Sequence, residues 1–226
     1  YAPAGDAASP RPVMVYLHGG AFTIGAGANY DPSRLAMEQD RVVVTVNYRL
    51  GALGWLVHPG FEDGGGNFGL MDQQAALRWV QANVGAFGGD ARDVTLFAES
   101  SGAWSACHLM AAPSSEGLYS RVILQSGPCL EPASLNARDD QVAPGRTFGE
   151  RLGCGGDQAA DCLRRLPTWR VARAAARACA AAKSDALCSA AATSSVVYAR
   201  TKVGGVVVSF QTLRVSSSWT SPSVSM

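Results

Sequence analysis

The stretch Asp93-Val94-Thr95-Leu96-Phe97-Ala98-Glu99-Ser100-Ser101-Gly102-Ala103-Trp104 constrains this chain more than any other. Residues 94–97 are a short apolar run with β-branched members, the pattern of a buried strand. Small residues follow at once, then a helix-spaced set of Ala103, Ala106, Cys107 and Met110. The order is strand, abrupt turn, helix, with Ser100 at the corner. Such a turn lifts a serine hydroxyl above a sheet and leaves it at a helix N-terminus, as a nucleophilic serine requires. Strand and helix backbones pass close together there, so the positions two before and two after the serine must be small. They are Ala98 and Gly102. The usual pattern is G-x-S-x-G, and A-E-S-S-G departs from it by one methyl at a crowded point. The same five residues would also serve as a plain helix cap, with the Ser100 side chain bonded to the first turn.

A second element lies upstream. Residues 13–17 (V-M-V-Y-L) are strand-like, and His18-Gly19-Gly20-Ala21-Phe22 follows them directly. This is an HGGG-type loop with Ala in the last small position. Such a loop turns backbone N–H groups toward a nucleophile, where the oxyanion of a tetrahedral intermediate would form. A larger side chain would hold the substrate carbonyl away from those amides. The bland alternative is a glycine-rich turn that needs positive φ values.

Taken together, four segments resemble the type-B carboxylesterase/lipase family of the α/β-hydrolase fold. They are VMVYLHGGAFTIGAG (13–27), VVVTVNYRLGALGWL (42–56), GNFGLMDQQAALRWVQANVGAFGGDARDVTLFAESSGAWS (66–105) and GLYSRVILQSG (117–127). The third, which joins a helix to the elbow strand, is the most specific. LGCGGDQAADCLRRLP (152–167) is a weaker match, and no resemblance is visible beyond residue 185. The resemblance implies an α/β fold, with a mostly parallel sheet carrying helices on both faces and incomplete at its C-terminal side. It implies a serine carboxylic-ester hydrolase, a small-molecule carboxylic ester as partner, and no cofactor. By matched position, Ser100 resembles the nucleophile, and Gly20, Ala21 and Ser101 resemble the residues whose N–H groups form the oxyanion hole. Glu99 matches an acid that shapes the pocket and stabilises the protonated base. The spacing of Cys154 and Cys162 resembles a small disulfide loop of the family. A bridge there would favour a secreted protein over a cytoplasmic one.

The chain has 226 residues, 47% of them hydrophobic and 16% charged, which suits one large globular domain. A net charge of +1 offers no basic field to nucleic acid or to an anionic membrane. No apolar run is long enough to span a bilayer. The opening Tyr1-Ala2-Pro3 leaves the true start, and hence a signal peptide, open. Cys107 reads as a small buried hydrophobe on the helix after the elbow. No C-x-x-C or histidine pairing is present, so no zinc site is expected.

In order, the pattern predicts a strand at 13–17, a loop at 18–29, a short helix at 33–39 and a central strand at 42–46. Residues 49–66 read as a long loop in which Trp55 either lines a pocket or covers core. Residues 70–84 have helical spacing, Arg121–Gln125 is the next strand, and 135–152 and 157–166 read as helices. The Ala-rich stretch 170–192, with Arg170, Arg173, Arg177 and Lys183 interspersed, reads as an isolated helix. Residues 1–185 are thus expected to be the N-terminal part of the hydrolase domain. Residues 186–226, which contain no acid, are expected to be an atypical tail, disordered or frame-shifted.

A serine nucleophile needs a histidine base and a carboxylate to hold it, in the chain order Ser, acid, His. Of the three histidines, His108 lies about 12 Å along the helix from Ser100 at 1.5 Å per residue, and it points away. His18 adjoins the oxyanion loop on the wrong side of the carbonyl, and His58 is a remote candidate. No acid after Ser100 stands in the family's triad context. Arg49 and Asp93 read as structural ion-pair or turn residues. Three readings follow: an esterase represented by its N-terminal portion, a non-catalytic binding or adhesion module, and an inactive gene fragment.

Overall fold

The computed structural model describes residues 1–5, 9–127, 129 and 138–181. Among these residues four strands form one sheet: β1 (Arg11–Leu17), β2 (Val42–Val46), β3 (Gly89–Glu99) and β4 (Arg121–Gln125). Every neighbouring pair is parallel, and the spatial order is β2-β1-β3-β4. The chain therefore starts in the middle of the sheet, moves out to β2, and returns past β1 to β3 and β4. Parallel neighbours need crossovers, which α1 (Ser33–Glu38), α3 (Phe68–Asn83) and α4 (Ser101–Ala111) supply. The result is a parallel sheet flanked by helices.

Strand alternation divides the two faces. Val13, Val15 and Leu17 of β1 and Val94, Leu96 and Ala98 of β3 point one way. They pack with Leu77, Val80 and Val84 and with Ala103, Ala106 and Leu109. On the opposite face Tyr16 meets Phe97, ring centroids 4.7 Å apart. The register puts Leu17 beside Ala98, so the carboxyl ends of β1 and β3 lie side by side. From there β1 continues toward β2 and β3 toward β4. The two connections diverge and open a crevice, where ligands bind in open α/β sheets.

Several expectations need correction. Residues 49–66 are not one loop: they hold α2 (Gly51–Trp55) and a 3₁₀ turn (Glu62–Gly64). Ala52, Trp55 and Leu56 are all buried, a helical spacing hidden by the brevity of the segment. Trp55 is 1% exposed and packs on Phe22 at 4.7 Å, so it covers core. Strand β3 begins at Gly89, ahead of its apolar run, because Gly89 pairs with Arg11. Cys107 is not a free hydrophobe but is bridged to Cys129, a pairing across 22 residues with no local turn to announce it. The expected Cys154–Cys162 bridge is present.

The helices at 135–152 and 157–166 are α5 (Arg138–Arg151) and α6 (Ala159–Arg165). The Ala-rich helix is α7 (Thr168–Ala181), and it is not isolated. Val171 is buried with Leu152, Leu163 and the Cys154 side of the small disulfide loop. That burial decides where α7 docks. Residues 182–226, and with them the expected tail, lie outside the described residues.

His108 sits in the last turn of α4, where the helix dipole favours a cation. Burial outweighs it and pushes the imidazole down to about 4. A folded-state value below the ordinary 6.5 stabilises the fold above that pH, and the contribution is lost as pH falls toward 4. His58 is shifted in the same direction. The thermal midpoint is therefore expected to drop by roughly 4–8 °C between neutral pH and the lower value, corresponding to about 2 kcal/mol. His108→Gln should remove part of that slope. Calorimetry at a series of pH values checks it.

Candidate active site

At the end of β3 the backbone turns through Ser100, with φ 52° and ψ −122°. An L-residue rarely sits there, and the conformation costs on the order of 1–3 kcal/mol unless its surroundings impose it. They do. The Ser100 N–H donates to the Gln125 carbonyl at 2.8 Å, and the Trp104 N–H donates to the Ser100 carbonyl at 3.1 Å. A Cβ on Gly102 would overlap the Leu17 carbonyl oxygen and stand 2.7 Å from that of His18. A Cβ on Gly127 would fall 2.6 Å from both Ala103 Cβ and the Ser100 carbonyl. Ala98 has no exposure at all. The corner thus needs small residues on three elements. Ser100 is half-buried and makes no side-chain capping bond, which sets aside the plain helix cap.

The loop after β1 stands against this corner. Gly20, Ala21 and Phe22 have φ values of 111°, 52° and 60°, so the backbone curls through three successive left-handed residues. Thr23 and Ile24 both donate their N–H to the Gly20 carbonyl at 3.0 Å. A Cβ on Gly19 would be 2.9 Å from Ser100 Cβ and would overlap the Glu99 carboxylate, so only glycine allows the approach. The Phe22 N–H donates to Ser101 Oγ at 3.3 Å, tying the loop to the first residue of α4. Among the described residues the N–H groups of Gly20, Ala21 and Ser101 have no acceptor. Gly20 is half-buried and Ala21 exposed, beside the half-buried Ser100.

Several side chains hold the loop from below. His18 is 1% exposed, its Nδ1 lies 2.7 Å from the Gly19 carbonyl, and its ring stacks on Tyr48 at 4.5 Å. Tyr48 donates its hydroxyl to the His18 carbonyl at 2.6 Å. Burial first, with the nearby Tyr30 and Glu99 charges, drives the Tyr48 hydroxyl above its ordinary range. It stays protonated and keeps donating. His18 is therefore a structural member of the loop. His58 is 3% exposed, and its Nδ1 accepts from the Gly60 N–H at 3.0 Å. Burial, with the charge of Arg146, holds it below its usual value. Among the described residues no histidine hydrogen-bonds to Ser100.

Arg49 grips Asp72 with two guanidinium N–H bonds of 2.7 Å and lies over the Phe68 ring at 5.3 Å. Asp93 pairs with Arg121 between β3 and β4. Both are the structural ion pairs expected. Sequence reasoning missed Tyr48, Gly127 and the Cys107–Cys129 bridge. Gly127 does lie in the GLYSRVILQSG segment, but nothing local shows that it faces Ala103.

A parallel sheet with a serine corner under a glycine loop at the divergence of β1 and β3 is the α/β-hydrolase fold. The carboxylesterase family profile matches residues 1–208, past residue 185 where the resemblance fades to the eye. The chain belongs to the carboxylesterase family. It is 50% identical over 119 residues to a para-nitrobenzyl esterase of Bacillus subtilis, covering 51% of this chain and 24% of that one. It is 42% identical over 173 residues to carboxylesterase 5A of Felis catus, covering 74% and 32%. A solved PNB esterase structure superposes with a TM-score of 0.72 at 38% identity, covering 80% of this chain and 37% of the other. The chain thus spans about a quarter to a third of the length of these curated relatives, 24% and 32%.

Gly102→Ala should destabilise the fold by about 3 kcal/mol or more, since its methyl meets fixed backbone. Ser101→Ala should cost about 1–3 kcal/mol by leaving the Phe22 N–H unpaired. Gly85→Ala, where a Cβ meets nothing within 4 Å, should stay within about 0.5 kcal/mol of the parent. Urea unfolding of the three variants checks the order.

Proposed function

We propose that this chain carries the nucleophile and the oxyanion hole of a serine carboxylic-ester hydrolase. The Ser100 hydroxyl adds to the ester carbonyl, its proton passes to a base, and the alkoxide leaves as the acyl-enzyme forms. Water then releases the acid. The N–H groups of Gly20, Ala21 and Ser101 hold the oxygen that becomes negative. Fixed donors of this kind cost no reorganisation at the moment of reaction. Glu99 adds a carboxylate beside the nucleophile, suited to stabilising a protonated base and to shaping the pocket. One observation carries the reading: Ser100 stands uncapped in a left-handed corner, against a loop with two free amides.

The histidine and the carboxylate of a triad are not found among the described residues. The substrate class is a small carboxylic ester, and the name of the bacterial relative points to esters of aryl-substituted alcohols. With the triad incomplete, acceleration over water is limited to about 10³- to 10⁴-fold, supplied mainly by the oxyanion hole and binding. The family's fold also supports a binding or adhesion module, which would keep the crevice without the chemistry.

Hydrolysis of p-nitrophenyl acetate by the full chain should be slow and Ser100-dependent, with mass spectrometry finding the acetyl group on Ser100. Ser100→Ala should abolish the acetyl adduct and lower the rate to what the oxyanion hole and binding alone supply. Gly20→Val should slow acylation by about 10²-fold. Equal rates for the parent and Ser100→Ala, with no acyl adduct, would overturn the esterase reading and leave the binding module.

A further inference from the structure

Helix α7 is strongly two-sided. Val171 is buried against Leu152 and Leu163, while Arg170, Arg173 and Arg177 are exposed at spacings of three and four. They line a cavity of about 470 Å³ together with Arg151, the last residue of α5. That volume lies within the range of small-molecule sites. Phe148, Leu152 and Ala174 give it an apolar lining, and Trp169, 63% exposed, borders it.

Four guanidinium groups around one cavity repel each other, and nothing in the overall charge of +1 requires them to gather. No carboxylate is among the lining residues. Asp161 pairs with Arg164 at 3.5 Å, and Glu150 acts on His58. Among the described residues Arg151, Arg173 and Arg177 have no carboxylate partner. Arg170 donates to the Leu152 carbonyl at 3.2 Å, covering a negative end of backbone that would otherwise face the cavity. The cavity thus offers planar, bidentate donors for an anionic head and an aromatic and aliphatic wall for an apolar body. Its volume suits a single small molecule, and phosphatidylserine vesicles separate that from a lipid surface. None of its lining residues belongs to the Ser100 corner or the glycine loop.

We propose that the cavity between α5 and α7 binds a small amphiphilic anion, a phosphate or carboxylate head on a short alkyl or aromatic body, independently of Ser100. Calorimetric titration of the full chain with octyl phosphate, below its micelle concentration, tests this. The expected result is saturable binding of one molecule per chain. Arg173→Gln with Arg177→Gln should weaken it by about tenfold or more. The remote Arg34→Gln should leave it unchanged. Inorganic phosphate and octanol should each bind at least about tenfold more weakly, since each lacks half of the recognition. Circular dichroism checks the fold, and Arg151→Gln on the opposite wall repeats the test if the double variant fails to fold. Unchanged affinity in the arginine variants, equal binding of octanol, or binding only to phosphatidylserine vesicles would overturn the proposal.

Discussion

The structure depends on the contact between Gly102 and the end of β1. At this point a helix backbone rests on the Leu17 and His18 carbonyls with no side chain between them. That closeness lets β3 turn straight into α4, and the turn forces Ser100 into the left-handed region. The strain at Ser100 is tolerable because flanking bonds to Gln125 and from Trp104 leave the backbone no cheaper route. A methyl at Gly102 would collide with both carbonyls and force the helix away from the strand.

The same packing places the glycine loop. Because β1 and β3 are neighbours in register, the loop that leaves the end of β1 starts beside the corner that ends β3. Gly19 passes closest to Ser100, and the backbone then curls through Gly20, Ala21 and Phe22, leaving the Gly20 and Ala21 N–H groups without an acceptor among the described residues. Tyr48 and His18 support the loop from the core, and Ser101 anchors it to α4. These bonds are buried, where an unmet donor or acceptor costs about 1–3 kcal/mol, so loop and corner hold each other in place.

Much of this was legible in the sequence, and the reasons are local. The apolar runs of β1, β2 and β4, and the small residues Ala98 and Gly102, state their strands and the corner directly. Gly20 announces the positive φ of the loop, though Ala21 and Phe22 share it without being glycine. Less legible were features made by distant partners. α2 is only five residues long, too short to display a period, and Trp55 declares itself as core only once Phe22 is placed against it. Cys107 resembles any buried small residue until β4 brings Cys129 beside it. α7 looked self-sufficient because alanine and arginine favour helix anywhere, and Val171, which docks it together with Ala174 and Ala175, carries no visible weight in such a composition. The general base is in neither the sequence pattern nor the described residues, since no histidine comes to Ser100.

The central claim is that the Ser100 hydroxyl faces the free amides of Gly20 and Ala21 across the crevice. A crystal structure of the chain soaked with phenylboronic acid tests it most directly, because a boronate bonded to a serine presents a tetrahedral oxygen anion. The account predicts boron bonded to Ser100 Oγ, with one boronate oxygen about 2.7–3.1 Å from the Gly20 and Ala21 nitrogens. A Ser100 side chain packed into the core, or an adduct whose oxygens all point away from both amides, would contradict it.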